Sequence, residues 1–159
     1  MRDLPLSPLT EAAFAPFGTL VEYSATETRR KLIDELQNMR AEARANLDFA
    51  RVAAQTLPIT ATVMERHEFS SQSFVPVDVA RYLVVVAPDA PAGGPDMARA
   101  RVFAASGRQS VTYGAGVWHH PLTPLDRDGM FAIVTFRAGD KQDEEFVSLP
   151  EPVRLGVPG

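Results

Sequence analysis

Beyond residue 47 the chain is cut into short apolar and β-branched runs by prolines, glycines and aspartates, and this rhythm constrains the fold more than any other feature. Strand candidates fall at 48–54, 60–67, 72–76, 82–87, 100–104, 109–113 and 130–137. A spacing of about ten residues between such runs marks an antiparallel sandwich or barrel. No long helical pattern alternates with them, which argues against doubly wound and (β/α)8 architectures. The 13 prolines and 10 glycines are spread along the chain as punctuation rather than gathered in a linker. The stretch 89–96 (DAPAGGPD) reads as a surface loop, because its prolines and glycines exclude a central strand.

The first fifty residues read differently. Thr10-Glu11-Ala12-Ala13-Phe14 looks like a short capped helix ended by Pro16 and Gly18. A strand is expected at 19–23. The stretch 26–46 is the one long helix candidate. Leu32, Ile33, Leu36, Met39 and Ala43 share a helical face, and Lys31, Asp34, Glu35, Arg40, Glu42 and Arg44 occupy the others. Such a helix packs on the domain surface or meets a partner.

Charge and composition narrow the function. A net charge of −4 argues against general binding to nucleic-acid phosphates. The absence of cysteine removes disulfides, thiolate metal sites and cysteine nucleophiles together. The longest apolar run, 83–87, is far too short to span a bilayer. The start MRDLPLSPLT lacks a signal-peptide pattern, so a cytoplasmic protein without a membrane partner is expected. At 159 residues, one domain can bury about 69% of its unfolded surface, enough for a real core.

The chemistry concentrates around three histidines, His67, His119 and His120. Strand alternation places Glu65 and His67 on one face and Met64 and Arg66 on the other. Gln72 opens the next strand. In Tyr113-Gly-Ala-Gly116-Val-Trp118-His119-His120-Pro121, two glycines make a tight turn that delivers adjacent imidazoles. His120 points opposite to His119 if the segment is extended. Arg66, out of phase with Glu65 and His67, reads as a structural ion pair or a substrate contact. Ser71, Ser73 and Ser110 have no base at a fixed spacing, which disfavours a serine nucleophile.

These segments resemble a cupin. Its first motif, His-x-His-x4-Glu, is matched in spacing by Glu65-x-His67-x4-Gln72, and its second, Pro-x-Gly-x2-His, by Gly114-Ala-Gly116-Val-Trp-His119. A closer resemblance is to the ureidoglycolate lyase family, also called ureidoglycolate hydrolase. It rests on Glu65-Arg66-His67, Ser71-Gln72-Ser73-Phe74, the strand at 82–87, Arg101-Val-Phe103 and Tyr113-Gly-Ala-Gly116-x-Trp118-His119-His120-Pro121, with an N-terminal Pro8 to Gly18 stretch of the family type.

The resemblance implies a mainly β, cupin-like double-stranded β-helix barrel with N-terminal helices packed outside. It implies a single cupin-like domain over 1–159: a helical N-terminal element at 1–50, the barrel at 51–150 and a tail at 151–159. It also implies the cleavage of (S)-ureidoglycolate to glyoxylate and urea, in allantoin and purine degradation. His67, His119 and Glu65 are then the catalytic candidates, and Gln72, Arg66, Tyr113 and His120 the substrate-binding ones. Glu65, His67, Gln72 and His119 are the candidate metal ligands. Such a set suits a borderline divalent ion such as Ni²⁺, Mn²⁺, Zn²⁺ or Fe²⁺, with no organic cofactor. A small-molecule substrate and a homodimer follow by the same analogy. A non-catalytic cupin that binds a small organic acid, or another metal-dependent cupin enzyme, remains open at this point.

Overall fold

The computed structural model describes residues 1–24, 26–32 and 34–158. In chain order its elements are β1 (Arg2–Pro8), α1 (Glu11–Phe14), β2 (Gly18–Glu22), β3 (Arg44–Val52), β4 (Ile59–Arg66), β5 (Gln72–Asp78), β6 (Arg81–Ala87), β7 (Arg101–Ser106), β8 (Gln109–Tyr113), β9 (Trp118–His119), β10 (Thr123–Leu125), β11 (Gly129–Arg137) and β12 (Glu145–Val157). All seven strands expected after residue 47, and the one at 19–23, are present within a few residues of the expected bounds. Thr10 caps α1, its hydroxyl accepting a hydrogen bond from the Ala13 N–H at 3.1 Å.

One sheet runs β10-β6-β7-β1-β12-β4-β9, and β9 also pairs with β6. That extra pairing closes β6, β7, β1, β12, β4 and β9 into a ring, which leaves no edge among them. The second sheet runs β2-β8-β5-β11-β3 and packs against the ring wall. The architecture is the expected cupin-like barrel.

Two cores result, and β6 explains them. Its run Tyr82-Leu-Val-Val-Val-Ala87 is buried throughout because both faces are covered. Leu83, Val85 and Ala87 join Met64, Val102, Trp118 and Leu155 inside the ring. Tyr82, Val84 and Val86 join Phe74, Phe103, Tyr113 and Phe131 between ring and sheet.

Three expectations are corrected. The helix over 26–46 does not form among the described residues; the stretch holds turns and extended backbone until β3 begins at Arg44. Its backbone groups are engaged elsewhere. Met39 N–H donates to Phe69 O at 2.9 Å, and Ser71 N–H donates to Gln37 O at 3.0 Å. A helix needs those groups for its own i to i−4 ladder. Met39, expected on the packed face, is 64% exposed; Ile33 lies outside the described residues. The helical element at 1–50 thus reduces to α1. Residues 2–8 form β1, which runs parallel to both β7 and β12. The expected tail at 151–159 is strand as far as Val157, because Val153 and Leu155 are buried in the ring core.

Candidate active site

Strand parity builds the centre of the site. On β4, Met64 enters the ring core, so Glu65 faces the second sheet, and His67 follows it two residues later on the same side. Glu65 is in direct register with His119 of β9, which places their side chains on one face. The turn before β9 is pinned to the end of β4: Gly116 N–H donates to His67 O at 2.8 Å. Gly116 has φ +80°, a left-handed conformation that glycine adopts without steric cost. The chain then sends Trp118 into the ring and His119 toward Glu65.

Each of Glu65, His67 and His119 offers one ligand atom, and the three atoms lie within 4.8 Å of one another. All three residues are buried, at 9%, 4% and 1% exposure. The imidazole rings of His67 and His119 are 5.7 Å apart.

Hydrogen bonds fix the protons. His67 Nδ1–H donates to the Asp143 carbonyl at 2.8 Å, and His119 Nδ1–H donates to the Val117 carbonyl at 2.9 Å. A carbonyl only accepts, so each ring carries its proton on Nδ1 and, when neutral, presents a lone pair at Nε2. Both Nε2 atoms are buried without a hydrogen-bond partner. His119 Nε2 lies 3.3 Å from Glu65 Oε1, misaligned for a hydrogen bond. Two lone pairs and a carboxylate at this range repel one another unless a cation joins them.

The titration directions agree. Burial pushes the His67 pKa below its ordinary value and the neighbouring His119 adds to this, outweighing the Asp143 carbonyl and Glu65. Burial alone would raise the Glu65 pKa; contact with the His119 ring, and attraction to His119, His67 and His120 whenever these carry a proton, outweigh it and lower the carboxyl pKa. A neutral imidazole beside an ionised carboxylate is the state that ligates a metal.

The residues fit a divalent cation. Two Nε2 lone pairs and one carboxylate oxygen make a three-ligand N₂O set, and three protein ligands leave positions open for substrate, as catalytic metal sites do. The Nδ1–H bonds to carbonyls are the outer-shell contacts that orient such ligands.

Comparison with known proteins settles the ancestry. The profile described as Ureidoglycolate lyase matches residues 1–156. The chain belongs to the ureidoglycolate lyase family. It is 39% identical over 168 aligned positions to the ureidoglycolate lyase of Azotobacter vinelandii, covering 99% of this chain and 100% of that protein. It is 40% identical over 167 positions to that of Burkholderia mallei (98% of this chain, 94% of the relative) and 41% identical over 156 positions to that of Brucella anthropi (92% and 90%).

Around the triad of this ureidoglycolate lyase family member, the other expected residues divide. Tyr113 stacks flat on His119, with ring centroids 4.2 Å apart and planes within 8°. Its burial pushes the phenol pKa far up, so it remains protonated. Gln72 is in register with Tyr113 on β5, so its side chain faces the same interior, and its Oε1 is buried without a partner. Arg66 points away. Its Nε donates to Glu145 Oε2 at 2.6 Å, and its guanidinium lies over the Trp118 ring at 4.5 Å. His120 is turned from the triad, its Nδ1–H donating to the Pro121 carbonyl at 3.0 Å; burial lowers its pKa.

Two contributors escaped the sequence reading. The Asp143 carboxylate accepts the Ala138 and Gly139 N–H groups, each at 2.8 Å, and the Arg40 guanidinium. Arg40 also grips Asp140 at 2.9 Å. This clasp holds the loop whose Asp143 carbonyl receives His67 Nδ1–H. Burial would raise the Asp143 pKa; the two backbone amides and Arg40 lower it further than that. A backbone carbonyl leaves no motif in a sequence, and Arg40 sits outside the apolar face of the helix expected at 26–46, which does not form among the described residues. Among the described residues, no helix is long and apolar enough to cross a membrane.

Proposed function

We propose that this chain is a ureidoglycolate lyase that cleaves (S)-ureidoglycolate to glyoxylate and urea, with Glu65, His67 and His119 holding a divalent metal ion. The supporting observation is the pair of buried imidazoles locked with Nδ1–H outward, both Nε2 lone pairs unpartnered beside Glu65. The ion is Ni²⁺, Mn²⁺ or Zn²⁺, and no organic cofactor is involved.

In the reaction the C–N bond to the ureido group breaks, the hydroxyl loses its proton as C=O forms, and the departing nitrogen gains one. A bound divalent ion supplies a docking point for the carboxylate and hydroxyl and makes that hydroxyl more acidic. Glu65, held ionised, accepts the hydroxyl proton and returns it to the leaving nitrogen. The Nδ1–H bonds hold both rings with Nε2 toward Glu65, and burial pushes the His67 pKa down. Tyr113 and Phe74 form the apolar wall, with the Phe74 and His119 ring centroids 6.3 Å apart and their planes nearly perpendicular. Gln72 belongs to the substrate rather than to the ion, because it projects from the opposing sheet.

We further place the enzyme in the cytoplasm, as one domain over 1–159 and as a homodimer. The outer face of the second sheet supports the pairing: Leu47, Phe49 and Val77 are 61%, 67% and 57% exposed there. The activity is tested by incubating purified protein with racemic ureidoglycolate. Equimolar glyoxylate and urea from half the substrate support the reading. No product with any of the three metals added overturns it.

A further inference from the structure

Among the described residues, six side-chain N or O atoms are buried without a hydrogen-bond partner: Arg40 Nε, Arg137 Nε, His67 Nε2, His119 Nε2, Gln72 Oε1 and Thr135 Oγ1. The last four lie on the two facing walls of one interior. Thr135 of β11 is in direct register with Gln72 of β5, and Gln72 with Tyr113 of β8. Residues directly opposite in a sheet project from one face. Tyr113 stacks on His119, so the row Thr135–Gln72–Tyr113 faces the triad. Thr135 is 1% exposed and Gln72 7%, so water reaches neither freely.

The chemistry of the four atoms is one-sided. The two Nε2 atoms and Gln72 Oε1 accept hydrogen bonds and cannot donate them. Thr135 Oγ1 accepts as well as donates. With the two Nε2 atoms and Glu65 given to the ion, Gln72 Oε1 and Thr135 Oγ1 are the acceptors left for N–H donors of a ligand. A plain hydroxy acid brings one O–H and otherwise only acceptors. A ureido group, –NH–CO–NH₂, brings three N–H bonds.

We infer that Thr135 and Gln72 form a subsite that recognises the ureido N–H groups of the ligand, and that Thr135 is a specificity-determining residue. The inference rests on the ureidoglycolate reading for the ligand class. Its geometry is independent of that reading: the acceptors lie on the second sheet, across from the triad on the ring. A site built to pair N–H groups discriminates strongly against ligands that lack them, because its buried polar atoms are then left unsatisfied.

The test uses two unreactive acids that differ in one atom. Ureidoacetate, H₂N–CO–NH–CH₂–COO⁻, lacks the hydroxyl that reacts. Succinamate replaces its internal N–H by CH₂ and keeps the rest. Binding is measured by calorimetry on the purified protein. Ureidoacetate is expected to bind about tenfold more tightly. Thr135→Val, which keeps the shape and removes the hydroxyl, is expected to abolish the preference, as is Thr135→Ala. Thr135→Ser is expected to retain it. Equal affinity for the two acids in the wild type, or a preference that survives in both Val and Ala variants, overturns the inference. If the preference appears and Thr135→Val removes it while ureidoglycolate is not cleaved, the lyase reading falls and the subsite stands.

Discussion

The two imidazoles of the site present the same atom in the same state, yet they are held by different means. His119 is locked from within its own turn, by a carbonyl two residues back. His67 is locked by Asp143, 76 residues away, through a loop that is itself held by Arg40. One ligand is placed by local backbone geometry and the other by a long-range clasp. The site can therefore be broken in two ways without touching a ligand: the His67 side depends on charge and on distant chain, and the His119 side on one glycine turn.

The largest effect comes from erasing both halves of the comparison. His119→Ala and His67→Ala are each expected to lower kcat/KM by about a thousandfold or more, with far-UV circular dichroism unchanged. Either variant retaining near-wild-type turnover removes that imidazole from the reaction. The clasp is next. Asp143→Ala frees the loop that orients His67 and is expected to weaken divalent-metal affinity by about 10–100-fold, read by competition with a chromophoric chelator. Arg40→Met acts one step further out, so its loss is expected to be smaller than that of Asp143→Ala and to fall on the same measurement. Equal metal affinity in all three proteins would mean that His67 holds its orientation unaided.

The local half is tested at Gly116. Gly116→Ala forces a side chain into φ +80° and is expected to cost about 1 kcal/mol, or roughly 2–4 °C in Tm, by calorimetry. The clasp variants are expected to move metal affinity more than Tm, which is the reverse pattern.

Acid sharpens the same contrast. The His67 and His120 pKa values are lowered by burial, so below about pH 6.5 the unfolded chain binds protons that the folded rings refuse. The Glu65 and Asp143 pKa values are also lowered, so their contribution is present above about pH 4 and lost as pH falls through the folded values. Both signs agree: the urea midpoint is expected to fall in two stages, first below about pH 6.5 and again below about pH 4. A midpoint that rises on acidification contradicts the neutral state of His67. The smallest effect belongs to Arg66→Ala, whose guanidinium is spent on Glu145 and Trp118; turnover is expected to stay within about threefold, with any loss falling on stability.

The same contrast explains what the sequence discloses. Strand alternation is a local rule, so Glu65, His67 and Met64 could be sorted to their faces from residue order alone. The glycine turn before His119 is equally local. The stretch 26–46 obeys no local rule: its apolar spacing mimics a helix, but the backbone of Gln37 and Met39 pairs with Ser71 and Phe69. β1 and β12 were missed because their parallel pairing joins the two ends of the chain, and their prolines, Pro5, Pro8, Pro150 and Pro152, break the strand signal. Asp143 serves through its main chain, and Thr135 becomes visible only when register sets it beside Gln72.

Turnover is expected to depend on one divalent-metal site formed by Glu65, His67 and His119. The most direct test is to strip the protein with chelator, confirm the metal content by mass spectrometry, and follow glyoxylate release as Ni²⁺, Mn²⁺ or Zn²⁺ is titrated back. Turnover is expected to be lost in the stripped protein and to recover until it saturates at one ion per chain, with no recovery in His67→Ala or His119→Ala. Full turnover in the metal-free protein contradicts this dependence.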